Sequence, residues 1–299
     1  MAGPSGAFTN MARIFFVGVL FIFALLRLQF LDFSNTFCSD IPKSKMNHAA
    51  PGECFYFKQQ PYKFAIVVHL VCILPAALLA CLQFIPTIRR NAIRFHRFIG
   101  RIAIILSVIG TAVVFILLPR SFGGGIGIFT IGSFLALAFL WALLMAYSSV
   151  KRHQIEEHRA WMIRAWFWGG CIITQRVIQI ASLKLASGEP PLYMMPCDKI
   201  DSMLHERTLS LYPKCASFYS GENKYQTVPV QATLNHPTSA AEAAAALDSK
   251  FGVSILLAFL IHMIGMEVYL KITARKDHSR RRSPHDRSHR PYMTPRDGW

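Results

Sequence analysis

Long apolar stretches separated by charged connections dominate the hydrophobic pattern of the 299-residue chain. A helix that crosses a bilayer needs about 20 apolar residues. Six stretches come close to that length or exceed it: residues 13–31, 63–85, 99–118, 125–150, 161–183 and 251–272. The pattern therefore predicts an all-α integral membrane protein, a bundle of six transmembrane helices.

The spans divide the chain into a membrane domain, residues 1–272, and a basic cytosolic tail, residues 273–299. The tail is rich in Arg, His, Ser and Pro, a composition typical of disorder. The longest connection, residues 186–250, is predicted to be an outer loop with too few large apolar residues for a domain of its own. Within it, Ser239 and Glu242 form a capping-box pattern before an alanine run. That pattern predicts a short surface helix leading into the last span.

Charge sets the predicted orientation. Basic residues outnumber acidic ones 32 to 16, and the net charge of +16 accompanies a mean hydropathy of +0.34. Nucleic-acid binding is not expected, because the basic residues flank apolar stretches without a recognised binding motif. They cluster in the second and fourth connections: Arg89, Arg90, Arg94, Arg97, Arg101, Lys151, Arg152, Arg159 and Arg164. Basic loops mark the cytoplasmic side. With six spans, both termini are predicted to be cytosolic, and the loops and tail to contact anionic lipid head groups.

Four of the seven cysteines fall in the predicted outer connections: Cys38, Cys54, Cys197 and Cys215. Disulfides form on the oxidising side of a membrane, in agreement with this orientation. Four cysteines allow three connectivities. We favour Cys38 with Cys54 and Cys197 with Cys215, because each pair closes a short local loop.

Polar residues inside or beside the spans form two predicted layers. Arg27, His69, Gln175 and Arg176 lie at similar depths below the outer surface, at about 1.5 Å of rise per residue. The inner layer comprises His96, Arg97, Arg101, His158, Arg159 and Arg164, with Glu156 and Glu157 as candidate partners. The outer layer has no obvious intramembrane carboxylate. It therefore favours an anionic ligand.

Three functions remain open at this point. The outer layer, with small-residue helix faces beside it, favours binding or transport of a small organic anion or lipid-like metabolite. A b-type haem oxidoreductase is an alternative, with His69 and His262, or His96 and His158, as axial ligands. An accessory or scaffold protein without a ligand is the third. His69 also suits a plain interhelical hydrogen bond, and Arg176 suits burial against backbone carbonyls.

Catalytic motifs are missing from the sequence. It contains no desaturase-type histidine box, no zinc-ligand spacing, no G-x-S-x-G elbow and no phosphate-binding G-x-x-x-x-G-K-[ST] loop. His153 to His158 has one residue too many for H-x-x-E-H. Three glycines at 123–125 are better suited to a tight outer turn than to a nucleotide cradle. We therefore lean towards a protein that is not an enzyme and that has no metal site.

The stretch from His69 through Arg176 resembles a family of predicted membrane proteins catalogued as domain of unknown function 2306. The matching motifs are His69, then His96-Arg97 with Gly100-Arg101, then His158-Arg159 with Trp161, Met162 and Arg164. The Phe122–Gly125 segment, Arg176 and the Cys-Asp-Lys-Ile sequence at Cys197 look like the branch common in filamentous fungi. The resemblance implies a multi-pass membrane protein and no particular activity.

Overall fold

The computed structural model describes residues 4–39, 49–186 and 188–282. Five of its helical segments are long and apolar enough to cross a membrane: Ile14–Leu31, Tyr62–Gln83, Ile93–Leu117, Ile126–Lys151 and Ala240–Thr273. The prediction of an all-α membrane protein is confirmed at this level. The five segments coincide with five of the six predicted spans, and the last extends well beyond its predicted start.

The elements follow one another along the chain. The first nine helices are α1 (Pro4–Arg27), α2 (Glu53–Phe57), α3 (Tyr62–Gln83), α4 (Pro86–Asn91), α5 (Ile93–Ala112), α6 (Val114–Leu117), α7 (Ile126–Lys151), α8 (Ile155–Gly169) and α9 (Cys171–Lys184). They are followed by β1 (Leu192–Pro196), α10 (Cys197–Leu204), α11 (Thr208–Leu211), α12 (Ala216–Tyr219), β2 (Thr227–Gln231) and α13 (Ala240–Arg282). Short 3-10 or π turns lie at Leu28–Leu31, Phe33–Phe37, Ser121–Gly123, His205–Arg207 and Pro213–Cys215.

The predicted fifth span is divided into α8 and α9 at Gly170. These helices have 15 and 14 residues, so each is only about 22 Å long and neither crosses a bilayer alone. Gly170 has a ψ of −9°, which ends α8. Phe16 of α1 packs here, and a Cβ on Gly170 would lie 3.0 Å from its ring. The described residues thus contain five uninterrupted apolar spans, and the predicted fifth span, 161–183, is broken at Gly170.

Small side chains let the long helices pack closely. α1 meets α3 through Ala24, Ala76 and Ala80, which are at most 1% exposed. α3 also packs along α5, where a Cβ on Gly110 would lie 3.0 Å from that of Cys72. α7 packs on α8, and α9 packs on α13. Close approach of this kind is typical of helices in membranes.

The connection between α9 and α13 forms a packed unit, which we call the loop unit (residues 188–250). β1 pairs antiparallel with β2, with Leu192 opposite Gln231 and Pro196 opposite Thr227. Alternate residues of β2 are buried, and Met195, Ile200 and Val230 are fully buried beside the start of α13. The connection was predicted to have too few large apolar residues for a domain of its own, yet it contributes to a buried core that it shares with α13. Its apolar residues are few, but β-alternation and an alanine-rich helix face concentrate them on one side.

Helix α13 runs without interruption from the loop unit through the last predicted span. Ser239 caps it, with its Oγ accepting from Glu242 N at 3.3 Å. The Glu242 carboxylate in turn accepts from Thr238 N at 2.7 Å. Four alanines of the run, Ala241 and Ala244 to Ala246, are fully buried, and the helix continues into the last span, so the prediction of a short surface helix is wrong. Helical backbone continues to Arg282, past the predicted start of the tail at 273. The rest of that tail, 283–299, lies outside the described residues.

Both predicted disulfides are confirmed. Cys38 bonds Cys54, and Cys197 bonds Cys215, with Cα atoms 5.5 and 5.7 Å apart. Each closes a local loop of 16 or 18 positions, the reason these pairs were favoured. The first bond holds the segment after α1 against α2, and the second lies in the core of the loop unit.

Candidate functional site

Three histidines connect neighbouring helices in the same way. In each, Nδ1 lies within hydrogen-bonding distance of a backbone carbonyl, so it carries the proton and donates it. His69 of α3 donates to Gly110 O at 2.8 Å, and His158 of α8 donates to Ala146 O at 2.8 Å. His262 of α13 donates to Phe167 O at 2.6 Å. These bonds fix the tautomer and leave each Nε2 as an acceptor.

The three histidines differ in what their second ring nitrogen, Nε2, contacts. Nε2 of His262 lies 2.8 Å from the hydroxyl of Thr174, so both of its nitrogens are engaged. Among the described residues, Nε2 of His69 and of His158 have no hydrogen-bond partner within range. This geometry therefore does not favour His69 and His262 as the two axial ligands of a haem.

The predicted inner layer is brought together only in part. His96 interacts electrostatically with His158, and its Nδ1 is buried without a partner in the described structure. Arg164 makes a two-pronged ion pair with Glu267, at 2.6 and 3.0 Å, and lies over the Trp161 ring. Glu267 was not among the carboxylates predicted for this layer.

The other arginines of the inner layer face outward. Arg97 and Arg101 are exposed on α5. Arg159 pairs with Glu156 at 3.6 Å, as an exposed contact one turn away on α8. An exposed pair of this kind adds little stability. The side chains of these arginines can therefore contact molecules outside the helix bundle.

The predicted outer layer contains two guanidinium groups held by aromatic rings. Arg27 lies over Phe23 and Phe30, with its Cζ 5.2 and 4.8 Å from their centroids. Arg176 lies over Phe122 and Phe251, at 4.7 and 5.8 Å. Among the described residues neither arginine has a carboxylate within 4.0 Å, and the two cations repel each other.

Glutamines beside Arg176 continue this polar region into the bundle. Gln175 donates to Gln179 Oε1 at 2.9 Å, and Gln179 donates to Leu247 O of α13 at 2.8 Å. Arg176 makes one long contact with the same Gln179 oxygen, at 3.4 Å. The Oε1 atom of Gln175 is buried, with no partner among the described residues. A polar path therefore runs along the contact between α9 and α13.

A buried ionic cluster, made of Glu53, Lys199 and Asp248, lies at the end of this path. Lys199 Nζ is 2.7 Å from Asp248 Oδ2 and 3.6 Å from Glu53 Oε1, and all three side chains are 1–2% exposed. Burial raises the pKa of Glu53 to about 7, against the attraction of Lys199. Burial lowers the pKa of Lys199, but Asp248 and Glu53 raise it above its ordinary value. Sequence reasoning missed this cluster entirely.

The glycine loop (Phe122–Gly125) connects the ionic cluster to Arg176. Phe122 N donates to Glu53 Oε2 at 2.9 Å, and the Phe122 ring stacks on Phe251 at 4.0 Å beneath Arg176. Phe122 has a φ of 48°, and the three glycines that follow have φ of 80°, 67° and 87°. Only glycine adopts such angles freely. A Cβ on Gly123 would also overlap the Tyr193 hydroxyl.

The long apolar helices and the polar groups held between them define a multi-pass helical membrane protein. Over residues 66–193 the chain matches the model of the family described as "Predicted membrane protein (DUF2306)". The predicted resemblance is confirmed, and the matched region contains all three histidine motifs that carried it. No curated protein matches the chain, and neither does any solved structure. Within residues 4–39, 49–186 and 188–282, no three His, Cys, Asp or Glu side chains are placed to hold a metal ion.

Proposed function

We propose that the protein binds or transports a small organic anion or lipid-like metabolite, with Arg176 as the main contact and Arg27 beside it. The observation that carries the proposal is that Arg176 has no ion-pair partner within 4.0 Å among the described residues. Its guanidinium is half-buried, and among the described residues its closest polar contact is a neutral oxygen at 3.4 Å. A partly buried cation costs free energy unless it is paired.

The surroundings of Arg176 suit an anion that has an apolar body. Aromatic rings cover one face of the guanidinium and offset part of its desolvation. They cannot satisfy its N–H donors, of which a guanidinium has five. A carboxylate or phosphate would accept two of them at once. Gln175, whose carbonyl oxygen is also unpaired, completes the polar edge of the proposed site.

His69 has a different part in this proposal than the sequence predicted. Its Nδ1 is occupied by Gly110 O, so it joins α3 to α5. We therefore assign His69 to the frame of the site, with Arg27, Gln175 and Arg176 as the groups that face the anion.

We also propose six membrane crossings with both termini cytosolic. α8 and α9 follow each other directly and pack against α7 and α13, which supports a single broken crossing. The disulfides lie in the connections after α1 and after α9, as expected for one oxidising side. The exposed arginines of α5 and α8 lie near the other two connections, those after α3 and after α7. They support contact with anionic lipid head groups.

Binding to the full-length protein in lipid nanodiscs tests the proposed function. Decanoate, acetate and decanol separate three cases: a lipid-like anion, a small organic anion, and an apolar chain alone. We expect decanoate to bind and Arg176→Gln to weaken it about 10- to 100-fold, the range of one charge-assisted hydrogen bond. Arg152→Gln removes an exposed arginine and is the matched control. Unchanged affinity in a folded Arg176→Gln protein, or failure of both anions to bind, contradicts the proposal.

A second candidate, a b-type haem protein, is favoured by the inner histidines. His158 donates Nδ1–H to a carbonyl, the arrangement that orients Nε2 of metal-binding histidines. His96 lies beside it with an unpartnered ring nitrogen. Protein expressed with ample haem would then have a Soret band that His158→Ala removes and the exposed His236→Asn leaves. Absence of the band in the unaltered protein excludes this candidate.

A further inference from the structure

The charges of the ionic cluster do not balance. One ammonium group faces two carboxylates, and all three side chains are 1–2% exposed. Glu53 Oε1 and Asp248 Oδ1 lack hydrogen-bond partners among the described residues. With both carboxylates ionised, the cluster holds a buried net negative charge, which is costly. A proton on one carboxylate removes that charge.

The geometry identifies Glu53 as the carboxyl that takes the proton. Asp248 is the closer partner of Lys199, at 2.7 Å against 3.6 Å for Glu53, so it stays ionised. Oε2 of Glu53 already accepts from Phe122 N at 2.9 Å. Its unpartnered Oε1 is therefore the atom to protonate. The raised pKa of this carboxyl, about 7, agrees with that choice.

Glu53 is also connected to Arg176, both mechanically and electrostatically. Phe122 donates its backbone N–H to Glu53 and places its ring under the Arg176 guanidinium. The carboxylate of Glu53 attracts Arg176 across this contact. A change in the charge of Glu53 therefore changes the electrostatic potential at Arg176.

We propose that Glu53 binds a proton that is coupled to anion binding at Arg176, so that the protein takes up the proton and the anion together. This inference rests on the proposed function. Protonation removes a negative charge that competes with the anion for Arg176, so the anion binds more tightly as the pH falls. By linkage, the bound anion also favours the protonated form of Glu53.

The other groups that face Glu53 lie on five elements of the fold. They are Tyr56 on its own helix, Lys199 from α10, Asp248 from α13, Tyr193 from β1 and Arg176 from α9. Burial raises the pKa of Tyr56 and raises that of Tyr193 to about 12, so both tyrosines stay neutral. Lys199 stays protonated because its pKa is raised. Between the two carboxyls, the shorter contact of Lys199 with Asp248 assigns the titration between pH 6 and pH 8 to Glu53.

Infrared difference spectroscopy between pH 5 and pH 9 tests the coupling without a ligand. We expect a protonated carboxyl band that titrates near neutral pH and is lost in Glu53→Gln. Arg176→Gln removes a cation that favours ionised Glu53, so it moves the midpoint to higher pH. Arg152→Gln leaves the midpoint unchanged. A band that persists in Glu53→Gln, or a midpoint that Arg176→Gln does not move, overturns the inference.

Decanoate binding at pH 6 and pH 8 tests it with a ligand, since decanoate is ionised at both. We expect binding to be about fivefold tighter at pH 6, the low end of typical coupling between sites. Glu53→Gln, checked for folding by its thermal unfolding, should bind decanoate with no difference between the two pH values. Equal affinity of the unaltered protein at both values overturns the coupling and leaves the proposed function standing. If decanoate and acetate both fail to bind, the proposed function is wrong, and the infrared midpoints decide whether Glu53 and Arg176 are coupled.

Discussion

Lys199 Nζ lies 2.7 Å from a carboxylate oxygen of Asp248, although the residues are 49 positions apart and both side chains are 1% exposed. This bond joins α10 to α13. With Glu53, which comes from α2, it brings together three segments that are remote in the chain. The contact is therefore a structural link as well as part of the proton site proposed above.

Lys199→Met should strongly destabilise the protein. It leaves two carboxylates buried beside an apolar side chain, and breaking a buried ion pair costs about 3–5 kcal/mol. The free energy of unfolding in a denaturant titration measures the loss. Lys224→Met, at an exposed lysine of the same unit, is the control and should have little effect. Equal losses from the two substitutions would show that Lys199 carries no special stabilisation.

Stability should fall as the pH rises from about 5 to 8, the reverse of the usual behaviour of a paired carboxylate. The pKa of Glu53 is raised from 4.5 to about 7 in the folded protein. The folded state therefore holds more protons than the unfolded state between these values. Stability is greatest below pH 4.5 for this group and declines through pH 7, by about 3 kcal/mol in all.

Unfolding titrations at several pH values measure this slope. Glu53→Gln keeps the size of the side chain and removes its titration, so most of the slope should disappear. A Glu53→Gln protein that retains the full slope would assign it to another group.

His69→Leu should loosen the contact between α3 and α5. It removes the donor to Gly110 O, a bond of 2.8 Å. Interhelical hydrogen bonds in membranes contribute about 0.6–2 kcal/mol. His69→Gln retains an N–H donor and should recover part of the loss, as measured by denaturant unfolding in detergent. If Leu and Gln give the same stability, the hydrogen bond contributes nothing measurable.

Either single charge reversal, at Arg164 or at Glu267, should break their ion pair. Reversing both charges together should form it again in the opposite direction. The two-pronged contact joins α8 to α13, but 46% of the Glu267 side chain is exposed, so solvent weakens it. Arg164→Glu should cost about 1 kcal/mol, and the double exchange should recover part of that. A double-mutant cycle on thermal unfolding measures the coupling. A coupling free energy of zero would show that the ion pair adds no measurable stability.

Five of the six predicted spans agree with long apolar helices of the structure, because length and apolar composition are local properties. The remaining predicted span, the fifth, was harder to describe, since it is broken at Gly170, where Phe16 from a remote segment packs. The polar residues of α9 do not indicate in the sequence that α8 ends at Gly169. The two disulfides were predictable because both are local.

The loop unit and its ionic cluster could not be foreseen in the same way. Its strands have five residues each, too short for a clear alternating pattern, and its alanines resemble those of an exposed helix. Glu53, Lys199 and Asp248 are separated by long stretches of chain, so only the fold brings them together. The aromatic rings over Arg176 could not be foreseen either, because Phe122 and Phe251 come from segments that are remote from it in the chain.

Each disulfide adjoins a member of the ionic cluster: Cys54 follows Glu53, and Cys197 precedes Lys199 by two residues. Forming the two bonds therefore also delivers a carboxylate and an ammonium group to the same buried place. Reduction of either bond would remove a covalent constraint directly beside one of these buried charges. The two cysteine pairs and the buried charges are in this way adjacent parts of one interior region.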